Sequence, residues 1–383
     1  MGENPQHVLQ VLGSSSGGVA RHVAQISAAL AAEPPDGPGA VVKVAGPAAL
    51  EGQIAPADSR VTYRAIPLGP RPGPRDVEVA RRLRALAAGA DVVHAHGLRA
   101  GAAAVLAVAG LRTEDRPWVV VTLHNRPVGG RGVRTVATAL EHLVNRRADV
   151  VLGVSADLVE GARERGARRT ERALVPAPAR PPVGRTASQV RADLGLEPDA
   201  ALLVTVARLA PQKGIDMLCD TAGLLKDRVA AGDLPELSRL VWVVAGDGPL
   251  REHLAARVAA EDLPVVVLGR RDDVPDLLAA ADLVVSTAVW EGQPLWLQEA
   301  LALGAAVVAT DVGGTSEVTA DGAALVPAAR PGHLSARIVH LLTDEPRRTA
   351  LGEAAIERAR ELPTIGDVLA QLAAVYEPLP DRR

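Results

Sequence analysis

Apolar positions along the chain fall into short continuous runs, separated by longer stretches with helical spacing. In the first half, six such runs predict buried strands: residues 7–13, 40–46, 61–67, 91–97, 118–124 and 149–155. Segments between them, such as residues 75–88, 98–109 and 132–147, carry Ala, Leu and Arg with the period of an amphipathic helix. Uniformly apolar strands that alternate with helices are typical of a parallel sheet covered on both faces.

The second half repeats this alternation. Its predicted strands are residues 201–209, 239–248, 263–271, 281–288, 305–314 and 323–328. Its predicted helices are residues 214–230, 249–260, 274–280, 294–303 and 331–343, and residues 346–376 are helical with a break at Pro363. Residues 175–190 are rich in Pro, with Gly and Ser, which predicts an interdomain linker.

These patterns predict the α/β class, with two doubly wound, Rossmann-like domains. We place the N-terminal domain at residues 1–178 and the C-terminal domain at residues 179–360. Ligands of doubly wound sheets bind beyond the carboxyl ends of the strands. With two such domains facing each other, we expect the ligand in a central cleft between them.

Composition narrows the class of protein. Of 383 residues, 48% are hydrophobic and 23% are charged, and the net charge is −3, so nothing indicates a nucleic-acid-binding surface. No apolar segment reaches the roughly 18 residues of a membrane span, and we find no signal-peptide pattern at the N-terminus. A single cysteine, Cys219, excludes an intrachain disulfide and predicts a reducing, cytoplasmic setting. Weak peripheral membrane contact and the oligomeric state stay open.

A Gly/Ser loop, GSSSGGVARHV at residues 13–23, lies between the first predicted strand and the next helix. Its glycines, among them Gly17 and Gly18, would let the backbone approach a ligand, and a helix N-terminus favours an anion. The spacing is neither GxGxxG nor that of a P-loop. A turn with a purely structural role is the alternative.

The segment VARLAPQKGID, residues 206–216, places two cations around one strand-to-helix loop. Arg208 lies at the end of the predicted strand, and Lys213 lies just before or at the start of the helix. Five residues apart, they can converge on one diphosphate, with the helix dipole adding to the positive field. Two solvated surface charges are the alternative.

Two glutamates, Glu291 and Glu299, flank the start of another predicted helix. Pro294 suits the first turn of that helix, which places Glu291 in the loop before it and Glu299 on its second turn. The two carboxylates can then reach different parts of one ligand. An exposed helix charge is the alternative for Glu299.

His94, His96 and His124 end neighbouring predicted strands. No HExxH, CxxC or facial-triad spacing accompanies them, and the chain has no Asp-x-Asp, so we expect no metal site. A buried, hydrogen-bonded histidine is the alternative interpretation for each, and it is preferred for His94. We expect His124 to face the cleft.

Several motifs together resemble one family. The two glutamates, separated by seven residues and followed by ALALGAAVVATDVGG, resemble the C-terminal motif of the retaining family-four glycosyltransferases (glycosyl transferases group 1), which have the GT-B fold. ARLAPQKG resembles the family's GRLxPxKG, VVAGDGPL its GDGP turn, and SSGGVARHV its N-terminal GGxxxxV loop. VLGRRDDVPDLLAAADLVVSTA resembles GxxxDVxxxYxxADxxxxPS. The matches follow the family's order over nearly the whole chain.

The resemblance implies a retaining, metal-independent transfer of a hexose-type sugar from a nucleoside-diphosphate sugar to a polysaccharide, lipid-linked or small-molecule acceptor, without a cofactor. Arg208 and Lys213 would hold the diphosphate and stabilise it as the leaving group during front-face attack. Glu291 would contact hydroxyls of the transferred sugar, and His124 would lie near that sugar. The implied donor-binding residues are Gly17, Gly18, Arg208, Lys213, Gly246, Arg270, Leu295 and Glu299. Glu299 would bind the ribose.

The resemblance also assigns the domains. The N-terminal domain would be the acceptor side and the C-terminal domain the donor side, and residues 361–383 would form a helix that crosses back onto the N-terminal domain. The chain departs from the family's Glu-Gly-Phe-Gly-x-Pro: Gln293 replaces the aromatic residue, and Pro294, which has no N–H, replaces a glycine. A sugar-nucleotide epimerase or hydrolase on this fold, or a non-catalytic nucleotide-sugar-binding protein, is the alternative function.

Overall fold

A computed structural model describes residues 5–13, 17–32, 39–69, 71, 73–127, 130–197, 199–234 and 239–377 of the chain. The chain divides into two compact units. Unit 1 comprises Met1–Pro176 together with Pro363–Arg383, and unit 2 comprises Ala177–Leu362. Each unit has its own parallel sheet and its own hydrophobic core.

The sheet of unit 1 has seven parallel strands: β1 His7–Leu12, β2 Val41–Gly46, β3 Thr62–Ala65, β4 Val92–His96, β5 Trp118–Leu123, β6 Val150–Gly153 and β7 Thr170–Arg172. Their order is β3-β2-β1-β4-β5-β6-β7, so the winding direction reverses between β1 and β4. In register, Leu12 pairs with His96 and His96 with Thr122, which aligns the carboxyl ends of β1, β4 and β5. This reversal is where doubly wound sheets bind ligands.

Helices of unit 1 follow the strands as α1 Gly18–Ala31, α2 Glu51–Ile54, α3 Asp76–Ala87, α4 Leu98–Val108, α5 Arg131–Arg147 and α6 Ala156–Glu164. Every residue of β4 and β5 is buried, as expected for strands covered by helices on both faces. Because β4 ends in His-Ala-His, two histidines are buried at its carboxyl end.

Unit 2 follows residue 176 and begins with α7 Ala187–Asp193. Its six parallel strands are β8 Ala201–Val206, β9 Leu240–Ala245, β10 Val265–Gly269, β11 Leu283–Ser286, β12 Val307–Thr310 and β13 Ala323–Val326. Their order is β10-β9-β8-β11-β12-β13, so the winding of this sheet reverses between β8 and β11. The loops after these two strands therefore form the expected ligand-binding edge of unit 2.

The remaining helices of unit 2 are α8 Ile215–Ala230, α9 Arg251–Glu261, α10 Val274–Ala280, α11 Leu295–Leu303, α12 Thr315–Thr319, α13 Pro331–Thr343 and α14 Glu345–Arg360. Helices α8 and α13 share one apolar cluster with the sheet, in which Trp242 is fully buried. Helices α10 and α11 share another, which includes Leu277 and Leu301. The sheet is thus covered on both faces.

The last helix, α15 Ile365–Tyr376, belongs to unit 1. It begins at a capping box between Thr364 and Asp367. Trp118 Nε1 donates to the Val375 carbonyl over 2.9 Å, and Gln371 Nε2 donates to the Arg172 carbonyl over 2.7 Å. These bonds and the burial of its apolar face join α15 to β5 and β7.

The predicted α/β fold class is confirmed by the two parallel sheets with alternating helices. Strand β7 was missed because Thr170–Arg172 is short and polar. The predicted linker at residues 175–190 runs too far, since Thr186 caps α7 with Gln189 and the helix begins at Ala187. Among the described residues, no helix is both long and apolar enough to cross a bilayer.

Candidate functional site

The loop between β8 and α8 is fastened to the chain that leaves β11. Residues Pro211–Lys213 form one turn of 3-10 helix, and Gly214 follows with φ of 63°. A Cβ atom on Gly214 would lie 1.9 Å from the Thr287 carbonyl oxygen, so only glycine fits there. Thr287 Oγ1 donates to the Lys213 carbonyl over 3.0 Å. The backbone around Lys213 is therefore held against the end of β11.

This contact brings Lys213 and Glu291 together. Lys213 Nζ lies 2.5 Å from Glu291 Oε1, although the two residues are 78 positions apart. Their side chains are only 16% and 8% exposed, so this is a nearly buried ion pair. An ammonium group has three donors, so Lys213 can still donate to a bound anion while it contacts the carboxylate.

The Glu291 backbone is held by the loop that follows β12. Gly314 N donates to the Glu291 carbonyl over 3.0 Å. Gly313 has φ of 53°, and a Cβ atom there would lie 2.0 Å from the same carbonyl oxygen. The paired glycines of the motif DVGG are thus explained by their close approach to Glu291. The loops after β8 and β12 thus fix Glu291, which lies in the loop after β11, the first through its carboxylate and the second through its backbone carbonyl.

Helix α11 begins one residue later than predicted. Pro294 is its N-cap residue, rather than part of its first turn, and Leu295 is the first helical residue. Glu299 lies partly buried on the second turn, as predicted. Near this N-terminus, Gln293 Oε1 and Trp296 Nε1 are buried without a hydrogen-bond partner among the described residues. Buried polar atoms are usually paired, so these two atoms are exceptions among the described residues.

Arg208 and Arg270 present their side chains to solvent. Both side chains are exposed, and neither has a recorded side-chain hydrogen bond or ion pair with a described residue. Gly246, which follows β9, supports the Arg208 loop, because a Cβ atom there would lie 1.8 Å from the Ala207 carbonyl oxygen. The Arg208 loop is also fixed by Leu209 N, which donates to the Asp247 carbonyl over 3.0 Å.

In unit 1, the predicted Gly/Ser loop lies only partly within the described residues, since residues 14–16 fall outside them. Gly17 is exposed, has φ of 79° and is the N-cap of α1, and Gly18 is its first residue. No atom would lie within 4 Å of a Cβ on Gly17, so its need for glycine comes from the backbone conformation alone.

Four histidines gather beside this helix N-terminus, where β4 and β5 end. His94 is buried and hydrogen-bonded, through Nδ1 to Tyr376 OH at 2.8 Å and through Nε2 to Thr122 Oγ1 at 2.7 Å. The interpretation preferred for His94 is therefore confirmed. His96 Nδ1 lies 3.2 Å from His124 Nε2, so His124 is also buried within the cluster.

His22, on α1, is the member that sequence reasoning missed. Its ring lies edge-on to the rings of His96 and His124, with centroids 5.8 and 5.5 Å away. The available signal was a histidine on the apolar face of α1, next to Val23 and one turn before Ile26. Burial lowers the pKa of His22 to about 4 and that of His94 to about 3, and it holds the pKa of His96 and His124 well below the usual range. All four imidazoles are therefore neutral at pH 7.

Known families match both parts of the chain. Residues 17–178 match the family described as glycosyl transferase 4-like domain, and residues 187–358 match glycosyl transferases group 1. A lipopolysaccharide core biosynthesis mannosyltransferase of Rhizobium meliloti is 31% identical over 206 residues, which is 52% of this chain and 57% of the relative. A D-inositol 3-phosphate glycosyltransferase of Catenulispora acidiphila is 35% identical over 177 residues, 44% of this chain and 41% of the relative. The chain thus spans about half the length of these curated relatives.

Solved structures share the fold over nearly the whole chain. HepE of Anabaena, crystallised with UDP and glucose, is 20% identical, with a TM-score of 0.74 over 96% of this chain and 98% of that one. Sucrose-phosphate synthase of Thermosynechococcus elongatus is also 20% identical, with a TM-score of 0.74 over 97% of this chain and 98% of that one. These neighbours show the GT-B fold. With one family match on each half of a GT-B chain, the protein belongs to the group 1 glycosyltransferases.

Proposed function

We propose that the protein is a retaining glycosyltransferase that moves a hexose-type sugar from a nucleoside-diphosphate sugar to a sugar-containing, lipid-linked or small-molecule acceptor. The observation that carries this proposal is the Lys213–Glu291 pair, held by three loops where the sheet of unit 2 reverses its winding. It places a cation and a carboxylate side by side where an α/β sheet binds its ligand. The cation can bind a diphosphate, and the carboxylate can accept hydrogen bonds from the hydroxyls of a sugar.

Charge around the β8–α8 loop suits the diphosphate. Arg208 is exposed and unpaired among the described residues, so a phosphate can form charge-assisted hydrogen bonds with its guanidinium without breaking an existing ion pair. Lys213 supplies a second positive charge, and the N-terminus of the 16-residue α8 adds its dipole. These groups stabilise the negative charge that develops on the leaving diphosphate.

Glu291 is assigned to the transferred sugar and Glu299 to the ribose. Glu291 is buried and fixed through its backbone, which suits a group that positions hydroxyls rather than one that moves to attack a carbon. With front-face attack, the departing phosphate oxygen accepts the proton of the acceptor hydroxyl. Arg270, Leu295 and Gly246 are proposed to line the donor site, while the roles of Gly17, Gly18 and His124 rest on the family resemblance alone.

Sugar specificity is proposed to lie with Gln293. Its buried Oε1 has no partner among the described residues, and the adjoining Pro294 supplies no N–H. A hydroxyl of the sugar would donate to this oxygen, whereas the phenylalanine of the family motif offers no acceptor.

A panel of UDP-, GDP-, ADP- and TDP-sugars tests the proposal. Thermal shifts identify the nucleotide and sugar that bind, and release of nucleoside diphosphate with candidate acceptors reports turnover. Transfer with retention of the anomeric configuration supports the proposal. Hydrolysis or epimerisation without transfer, or donor binding without turnover across acceptors from all three classes, contradicts it.

Donor binding is expected to be independent of magnesium and manganese, because the cations Arg208 and Lys213 supply the positive charge that a metal supplies elsewhere. The measurement compares the affinity of the nucleoside diphosphate in EDTA, in magnesium and in manganese. Equal affinities are expected. A loss in EDTA that magnesium or manganese restores would show that a metal holds the diphosphate.

A further inference from the structure

We propose that His22, His96 and His124 bind one divalent transition-metal ion of the zinc class within unit 1, with the fourth coordination position open. One nitrogen from each residue lies within 4.8 Å of the other two, and all three side chains are buried. Three histidines with a free position form a recognised zinc coordination set. The three residues come from α1, β4 and the loop after β5, so no sequence motif marks them.

The distance between two of the three proposed ligand nitrogens already suits a zinc ion. His96 Nδ1 and His124 Nε2 are 3.2 Å apart. In a tetrahedral site with zinc–nitrogen bonds of about 2.0–2.1 Å, two ligand nitrogens are separated by about 3.3 Å. Both atoms can therefore bind one ion with little movement.

A chain of hydrogen bonds sets which nitrogen of His96 carries the lone pair. Gln10 Nε2 donates to Tyr376 OH over 3.2 Å, which directs Gln10 Oε1 towards His96 Nε2 at 2.7 Å. Since a carbonyl oxygen only accepts, His96 Nε2 must carry the proton and Nδ1 must carry the lone pair. A ligating histidine with its other N–H donated to a carbonyl oxygen is the usual outer-shell arrangement of a metal site.

His22 supplies the independent observation. Its Nδ1 is buried and has no hydrogen-bond partner among the described residues. A buried polar atom of this kind is uncommon because it loses its water without gaining a partner. We assign this nitrogen as the His22 ligand, for which a metal ion beside His96 and His124 would be the partner.

The test uses untagged, full-length protein after removal of metals with EDTA. Zinc chloride is titrated against a chromophoric chelator to obtain stoichiometry and affinity, and cobalt chloride is used as a spectroscopic probe, since tetrahedral cobalt absorbs strongly in the visible range. We expect one zinc per chain, a visible cobalt spectrum of tetrahedral type, and a rise in melting temperature with zinc. These readouts need no donor, acceptor or turnover, so they stand apart from the test of the proposed function.

The decisive variant is His22→Leu, because His22 makes no recorded hydrogen bond with the described residues and its loss leaves none of them unpaired. The matched control is His142→Leu, an exposed histidine on α5 of the same unit. Loss of a ligand should weaken zinc binding by more than the roughly 10- to 100-fold typical of outer-shell changes, while His142→Leu should leave it unchanged. Equal zinc affinity in wild type and His22→Leu, or no stoichiometric binding by the wild type, overturns the proposal.

Discussion

At the scale of single residues, the Lys213–Glu291 ion pair, which is proposed to bind the donor, should also affect the stability of the fold. Removing one partner of a buried ion pair leaves an uncompensated charge, which costs about 3–5 kcal/mol. Lys213→Met should therefore lower the free energy of unfolding by about that amount, whereas Lys213→Met combined with Glu291→Gln should recover part of it. Thermal and urea unfolding of the variants measure this.

The matched control is Lys226→Met, which breaks the ion pair between Lys226 and Asp262. The side chain of Lys226 is 41% exposed and that of Asp262 is 93% exposed. An exposed pair contributes at most about 1 kcal/mol, so this change should have little effect. A double variant that is no more stable than Lys213→Met would show that the pair carries no such penalty.

Substitutions of Glu291 and Glu299 should have different effects on catalysis and on donor binding. Glu299→Ala removes a proposed ribose contact made before and during the reaction, so it should weaken nucleoside-diphosphate binding by about 1.5–3 kcal/mol, or roughly ten- to a hundredfold. Glu291→Gln should lower kcat more than it raises KM, because Glu291 is proposed to act as charge develops on the sugar. It also releases Lys213 Nζ, so affinity for the free diphosphate should be unchanged or higher. Equal losses of diphosphate affinity with unchanged kcat would contradict this assignment.

At the scale of elements, the turn into α8 depends on Gly214. Gly214→Ala places a methyl group against the Thr287 carbonyl, in addition to the strain of a left-handed backbone. Gly195, with φ of 65° and open space around it, is the matched control that carries the strain alone. Gly195→Ala should cost about 1–2 kcal/mol, and Gly214→Ala should cost more and also weaken donor binding by displacing Lys213. Similar melting temperatures for the two variants would show that the Gly214 turn can relax away from β11.

At the scale of the whole molecule, unit 1 is built from two separate parts of the chain and unit 2 from one. Helix α15 buries Val368, Leu372 and Val375 within unit 1, and each such side chain contributes about 1.5–3 kcal/mol. Ending the chain at Leu362 removes these contributions together. Their total is comparable to the free energy of unfolding of a whole domain, about 5–15 kcal/mol. Unit 1 should then unfold while residues 177–362 stay folded.

Limited proteolysis with mass spectrometry of the fragments would measure this difference. A chain that ends at Glu377 keeps all of α15 and is the control, which should resist protease as the full chain does. If unit 1 of the chain ending at Leu362 resists protease equally well, α15 contributes little to its stability.

The sequence by itself determined the elements and the fold class. Continuous apolar runs such as WVVV in β5 are local patterns, and burial on both faces of a parallel sheet is their direct physical cause. The same reasoning located the break at Pro363 between α14 and α15, because proline does not continue a helix. It failed where the local pattern was weak, at the short polar strand β7, and where a single capping threonine moved the start of α7 into the predicted linker.

Only the tertiary structure decided which side chains meet. Lys213 and Glu291 become neighbours because β8 and β11 are adjacent in a sheet whose winding reverses between them, and no pattern within either segment contains that adjacency. His22 joins His96 and His124 because α1 packs over the ends of β4 and β5, although its own sequence shows only a histidine on an apolar face. Hydrophobic periodicity records burial, which is local, whereas a site depends on the order of strands and on the paths of the crossovers between them.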